Sequence, residues 1–468
     1  MKREKLEEAL DHMKPEHIAE AAAPTKRKKK ALPWLGAVAA LLALVLAGKW
    51  IEIPMVIRAE AISLAEPDVP ARPDLDDYPD IDQWRKDLDA WSAQGAQREA
   101  AAVEALSGMK TFLRESTAAF LAGHGNQLYS PINASIGLAM AAELTAGSTR
   151  QQLLDALGAP DTETLARYIR ALWESVYQDN GKEIATLASS LWLDEGVKCN
   201  QTVMDTLAED YCVSVYRQDL QSSRALRDIH AWLNNNTGGF LKDSVQGVQL
   251  PEDALLAIYS TIYFQAKWND EFSAARNTQD VFHSPSGDTN ATYMNKKLAQ
   301  MYYYWGDSYG AVSLGLKNRS QMWFILPDPD KTVEDVLSEG QYWDMLLGDW
   351  EDRKYMKVNL SVPKFDIQAK KDLREGLMDM GITDLFQLGA ADFSASLEEP
   401  AFISAANQAV RVKIDETGVT AAAYIELPGA GAAAPPEEII DFVLDRPFLF
   451  VITDYTGIPL FAGSVQQP

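Results

Sequence analysis

Few residues in this chain are placed to do bond-making chemistry. The histidines are His12, His17, His124, His230 and His283, and none belongs to an HExxH helix that could hold zinc. No GxxxxGK phosphate loop is present, and no strand-to-helix serine elbow is read. The two cysteines, Cys199 and Cys212, flank a stretch that reads as an amphipathic helix, CNQTVMDTLAEDYC. Thirteen helical steps separate their Cα atoms by about 20 Å, whereas a disulfide needs about 7 Å or less. Two free, mostly buried thiols follow. With no nucleophile–base pair and no ligand set, the residues point away from an enzyme and call for no metal and no cofactor.

What does stand out is a conformational chemistry. From Glu416 to Glu438 the chain runs ETGVTAAAYIELPGAGAAAPPEE, between strand-like runs at 410–415 and 439–444. Small side chains dominate its centre, so little could pin it to a core, and loops this long inside a domain are usually functional. Yet alternate residues from Val419 (Ala421, Ala423, Ile425, Leu427, Gly429) are all apolar or small, while the intervening set is more polar. Period two with one apolar face is the pattern of a half-buried strand. One segment therefore has the composition of a loop and the periodicity of a strand, which suggests two states.

The elements around it read as α+β. Helical periodicity runs from Leu106 to Leu121, and Ser130-Pro131 opens another helix, with proline at the first-turn position it tolerates. Strand-like runs follow at 184–188, 191–193, 257–264, 322–326 and 358–362, and 446–454 with 457–465 reads as a hairpin. Helices come early and strands late.

The first hundred residues differ in character. Lys26 to Lys30 form a basic block, and the apolar run ALPWLGAVAALLALVLAG follows at 31–48. That run just suffices to cross a bilayer core of roughly 30 Å, with the basic side cytoplasmic. The expected organisation is a cytoplasmic tail at 1–30, a transmembrane signal anchor and flank at 31–57, an extracytoplasmic stalk rich in proline at 58–103, and one domain from 104 to 468. The domain would lie outside a cell membrane on a single-pass anchor. The formal net charge of −24 argues against a nucleic-acid partner.

Glu416-Thr417-Gly418-Val419-Thr420-Ala421-Ala422-Ala423 resembles the hinge of inhibitory serpins. Other blocks resemble that family in order: Ser130-Pro131-Ile132, Ser190 to Asp194, Thr261 to Trp268, Pro363-Lys364-Phe365, Gly381 to Phe386, Ala391 to Ser394 and Asp445 to Phe448. The resemblance covers about residues 104 to 468 and suggests an inhibitory, membrane-anchored, bacterial-like serpin. It implies a fold of about nine helices, a large central mixed sheet with two further sheets, and an exposed reactive loop.

The resemblance also implies a mechanism. A target protease would attack the loop, form an acyl-enzyme, and be trapped as the cut loop enters the central sheet. Family spacing from Glu416 puts the reactive bond at Ala432–Ala433. Small residues there suit elastase-like or subtilisin-like serine proteases, with papain-like proteases left open. Lys364 and Glu416 match the family's ion pair where insertion begins, and Trp268 and Ser130 match positions near it and beneath the sheet. Asn133, His230 and Gln408 match the family's central polar cluster, which is expected to be rewired. Val419 takes the first inserted position, normally threonine or serine. Pro428, which cannot donate to a ladder, is the feature most at odds with insertion. A monomer is expected, and the alternative function is a non-inhibitory serpin acting as a binding protein or chaperone.

Overall fold

The computed structural model describes residues 62–65, 73, 78–179, 183–348, 350–419 and 438–468, all within one unit running from Arg58 to Pro468. The expected tail and anchor at 1–57 lie outside them. Among the described residues no helix is long and apolar enough to cross a membrane.

Two sheets make the body. The first has the strand order β1 (Ile62–Ala65), β5 (Val213–Gln218), β4 (Ile184–Asp194), β6 (Leu256–Lys267), β14 (Gly418–Val419), β13 (Asn407–Ile414) and β12 (Phe365–Asp372), with the two-residue β3 (Gln178–Asp179) on β4. It is mixed, because β4 and β5 run parallel while its other pairs are antiparallel. The second runs β15 (Ile439–Val443), β11 (Arg353–Pro363), β8 (Thr289–Trp305), β9 (Tyr309–Gly315), β10 (Gln321–Pro327), β16 (Phe448–Thr453), β17 (Pro459–Val465) and β2 (Gln127–Tyr129), with β7 (Thr278–Phe282) on β8. Seventeen residues long, β8 pairs with β11 over almost the whole of that strand. It thereby joins into one path what the sequence reading divides into two smaller sheets. Every residue of β16 and β17 is buried, which is why 448–453 and 459–465 read as nearly unbroken apolar runs rather than alternating ones. The turn between them is held by Asp454, whose carboxylate accepts from the backbone of Thr456 (2.9 Å) and Ile458 (2.8 Å).

Helices α1 (Ile81–Ala93) and α2 (Gly95–Leu121) begin inside the segment expected as a stalk. Ala102, Ala105, Leu106 and Met109 of α2 are buried at helical spacing in the main core. The described parts of 58–103 thus join the folded unit, through β1 and through α2. Helix α3 (Pro131–Leu144) starts at N-cap Ser130 and is buried almost all round, so it is apolar on every side. Next come α4 (Gly147–Leu157) and α5 (Thr162–Val176). N-cap Asp161 accepts from the Thr164 amide to start α5. The stretch between the cysteines is α6 (Gln201–Tyr211), which ends on Cys212 in the left-handed conformation. Both thiols are free, and burial pushes Cys212 up to about 11, which keeps it protonated and inert. Helix α7 (Ser223–Asn236) packs on the first sheet beside the short α8 (Lys242–Gln246). Helices α9 (Val333–Glu339), α10 (Tyr342–Leu346) and α11 (Arg374–Asp379) complete the set among the described residues.

Candidate functional site

The hinge sequence forms the head of a groove in the first sheet. After β13 the chain reverses at Asp415, whose Oδ1 accepts from the Thr417 amide (2.9 Å) and from the Thr417 hydroxyl (2.5 Å). The Asp415 amide donates to the Gly418 carbonyl at 3.1 Å, closing the turn. Aspartate and threonine side chains that mimic backbone in this way are ordinary turn chemistry. The returning chain, β14, then sits between β6 and β13. Gly418 pairs with Lys267, and Val419 pairs with Ala266 on one side and Ile414 on the other. Val419 is 4% exposed.

Gly418 is required by space rather than by its dihedral. A Cβ there would lie 2.5 Å from the Ala266 oxygen and 2.6 Å from the Lys267 Cα, both of them backbone atoms that cannot step aside.

Trp268 and Glu416 lock this turn. The Trp268 ring is buried, its Nε1 donates to the Asp415 carbonyl at 2.8 Å, and its amide donates to the Thr417 carbonyl. The Glu416 carboxylate meets Lys364 Nζ and Asn277 Nδ2, each at 2.5 Å, while its carbonyl accepts from the Phe272 amide. Burial works to raise the Glu416 carboxyl, but the donors Lys364 and Asn277 outweigh it and hold the group below its ordinary value. Lys364 is the single residue between β11 and β12, so it ties the second sheet to the head of the groove.

Below Val419, β6 and β13 share no ladder among the described residues. A cavity of about 750 Å³ lies between them, lined on its floor by Asn133 and Gly137 of α3 and on its walls by Ile262, Phe264, Val410 and Val412. Ser130 and Gln408 are joined beside it. The Gln408 side-chain amide accepts from the Ser130 N–H (2.8 Å) and donates to the Ser130 carbonyl (2.9 Å), while the Ser130 hydroxyl donates to the Leu460 carbonyl (2.7 Å). Asn133 Oδ1 is buried without a hydrogen-bond partner. His230 does not belong to this cluster. It lies on α7, and its Nε2 contacts the Val248 carbonyl at 3.1 Å. The expected polar set is therefore a Ser130–Gln408 pair with Asn133 near it, and histidine is absent from it.

The remaining hinge residues, Thr420, Ala421, Ala422 and Ala423, and the expected reactive bond at Ala432–Ala433 lie outside the described residues. Two contributors escape the sequence. Asn277 reaches Glu416 from far along the chain, with no local signal. Asp415 is legible only as turn chemistry, through the Asp-x-Thr-Gly order. One GxSxG spacing does occur, at Gly306–Gly310. It sits where β8 turns back into β9, not at a strand-to-helix elbow, and the fully buried Ser308 hydroxyl donates to Glu339. No histidine partners it, so it forms no nucleophile.

Residues 110–468 match the family described as Serpin (serine protease inhibitor). An uncharacterized serpin-like protein of Thermococcus kodakarensis is 31% identical over 360 residues, which span 74% of this chain and 82% of that protein. Plasminogen activator inhibitor 1 of Neovison vison is 27% identical over 353 residues, 73% and 87% of the two chains. Among solved structures, the thermophilic serpin tengpin in its native state superposes with a TM-score of 0.68 at 24% identity, covering 77% of this chain and 93% of its own. The latent state of tengpin gives 0.65 at 23% identity, covering 77% and 96%. A buried hinge strand at the head of a mixed sheet, together with these matches, places the chain in the serpin family. Several of its relatives carry the names of protease inhibitors.

Proposed function

We propose that this chain is a suicide-substrate inhibitor of serine proteases with a small-residue preference, elastase-like or subtilisin-like. The observation that carries this function is Val419, buried between β6 and β13 and already in antiparallel register with β6. In the proposed reaction the protease serine oxygen adds to the Ala432 carbonyl. The Ala432–Ala433 peptide bond then breaks, and the Ala433 amine leaves with a proton from the protease's base. The ester that remains tethers the protease to a loop whose next stable position is the groove below Val419. Added ladder hydrogen bonds contribute about 0.5–1.5 kcal/mol each, and burial of Ile425 and Leu427 about 1.5–3 kcal/mol apiece. Insertion then carries the acyl-enzyme away from its geometry before water can release it.

Incubation with pancreatic elastase, and separately with subtilisin, followed by denaturing electrophoresis, tests this. A covalent band near the summed masses is expected. Clean cutting of the loop with the protease still fully active would instead favour a non-inhibitory serpin that binds or chaperones. We also propose that 31–57 anchors the chain in a cell membrane with the serpin domain outside. Retention in the membrane pellet after carbonate washing, and access of added protease to the domain on intact cells, are the expected results.

A further inference from the structure

We propose that the outer face of the second sheet, where β8, β11 and β15 meet, is a second docking surface for the target protease, and that it takes an acidic rim beside the protease's cleft. This rests on the inhibitory function proposed above and adds a partner surface to it.

Strand alternation sets the face. Met356, Val358 and Leu360 of β11 are buried in the core, so Tyr355, Lys357 and Asn359 between them point outward. Across the β8–β11 pair, Tyr355 lies opposite Tyr302 and Asn359 opposite Lys297. Across the β11–β15 pair, Lys357 lies beside Ile439 and Asn359 beside Asp441. Tyr355 is 49% exposed and Ile439 61%, which is unusual for side chains of that size. The Tyr302 and Tyr355 ring centroids are 3.9 Å apart, and the Arg353 guanidinium carbon stands 4.9 Å from the Tyr302 centroid. Two tyrosines, an arginine stacked on one of them, and an isoleucine therefore share one patch of surface.

The charge of this patch opposes that of the chain. The formal net charge is −24, yet Lys297, Arg353 and Lys357 cluster here, and among the described residues none of the three forms an ion pair. The carboxylates next to them are engaged elsewhere. Glu438 pairs with Lys354 at 2.5 Å, and Asp441 accepts from the Asn359 side-chain amide at 2.7 Å. Tyrosine and arginine are the residue types that anchor protein interfaces, and unpaired cations fit a partner surface of opposite sign. At physiological salt the Debye length is about 8 Å, so the patch, not the distant acidic surface, sets the field a docked partner meets. Position selects the protease as that partner. β15 is the first described strand after the reactive loop, and Ile439 at its start is six residues past Ala433. Six residues reach at most about 21 Å, so a protease engaged at Ala432–Ala433 is held within one protein radius of this face.

Docking is tested with the full chain and with whichever of elastase and subtilisin forms the covalent band, its active-site serine changed to alanine so that binding alone is read. The dissociation constant is measured at about 0.15 M salt. Arg353→Glu with Lys357→Glu is expected to weaken docking by about tenfold or more. Tyr355→Ala is expected to weaken it by about fivefold or more, while Tyr355→Phe, which keeps the ring, retains it. Arg85→Glu with Lys86→Glu on α1 changes the net charge equally and is expected to leave docking within about twofold. An unchanged dissociation constant in Arg353→Glu with Lys357→Glu, or an equal loss in the α1 variant, would overturn the docking surface and leave inhibition standing. No covalent band with either protease would overturn inhibition and the docking surface together.

Discussion

The first sheet treats its outer and inner margins in opposite ways. At the outer margin, β1 is laid along β5, with Ile62 opposite Arg217 and Ser63 opposite Tyr216. It comes from a stretch that precedes the family match and leaves no long flat edge at β5. At the inner margins, two longer strands, β6 and β13, face each other and, among the described residues, are bridged only at the top, by the two residues of β14. An exposed strand edge is a liability that proteins normally cover. A separate segment thus covers the short outer edge, while the long inner pair stays apart over a floor that includes Asn133 and Gly137, as the loop insertion proposed above requires.

The strongest way to break that contrast is to block the top of the groove. Gly418→Val places carbon against the backbone of Ala266 and Lys267, at a cost of about 1–3 kcal/mol. Urea unfolding should show the loss, and covalent trapping should fall away with it. Retention of both would mean that β14 does not start the insertion. Gln408→Leu tests the lower part of the inner margin. It leaves the N–H of buried Ser130 without its partner, while the Ser130 carbonyl keeps the Ala134 amide, so a loss of about 1–3 kcal/mol is expected by denaturation. An unchanged midpoint would remove Ser130–Gln408 from the account of the groove.

Acid should act more weakly, at the head of the groove. Because the folded pKa of Glu416 is lowered, its contribution is full above the ordinary carboxylate range and disappears as pH falls through that lowered value. Glu416→Gln should flatten that acid limb of the stability profile, and an identical profile in the variant would assign the limb to other carboxylates. The smallest effect belongs to the outer margin. Leu64 and Ala65 are only half-buried, so removing β1 should cost less than about 1 kcal/mol. It should leave inhibition intact but produce concentration-dependent association in sedimentation. If inhibition fails instead, the two margins are coupled and the contrast must be redrawn.

Much of this was readable from residue order. The hairpin of β16 and β17 and the α3 start at Ser130-Pro131 announce themselves through local chemistry, because turn and cap preferences act over a few residues. The stretch expected as a stalk is helical from Ile81 onward, where α1 and α2 run, because its prolines at 67, 70, 73 and 79 all precede α1. His230 shows the opposite failure. Its residue type fits a polar cluster, but type does not say which side of a sheet a helix covers. Asn277 could not have been found at all, since its contact with Glu416 depends on two distant segments meeting.

The central place of β17 bears on when this molecule can fold. β17 lies between β16 and β2, pairing Ala462 with both Tyr129 and Val451. Until residues 459–465 have been synthesised, an early strand and a late one lack the piece that joins them, and the apolar faces of both await cover. Chains dominated by such distant pairings collapse slowly and are exposed to aggregation while they wait. Closure of the second sheet therefore waits until residues 459–465 have been synthesised.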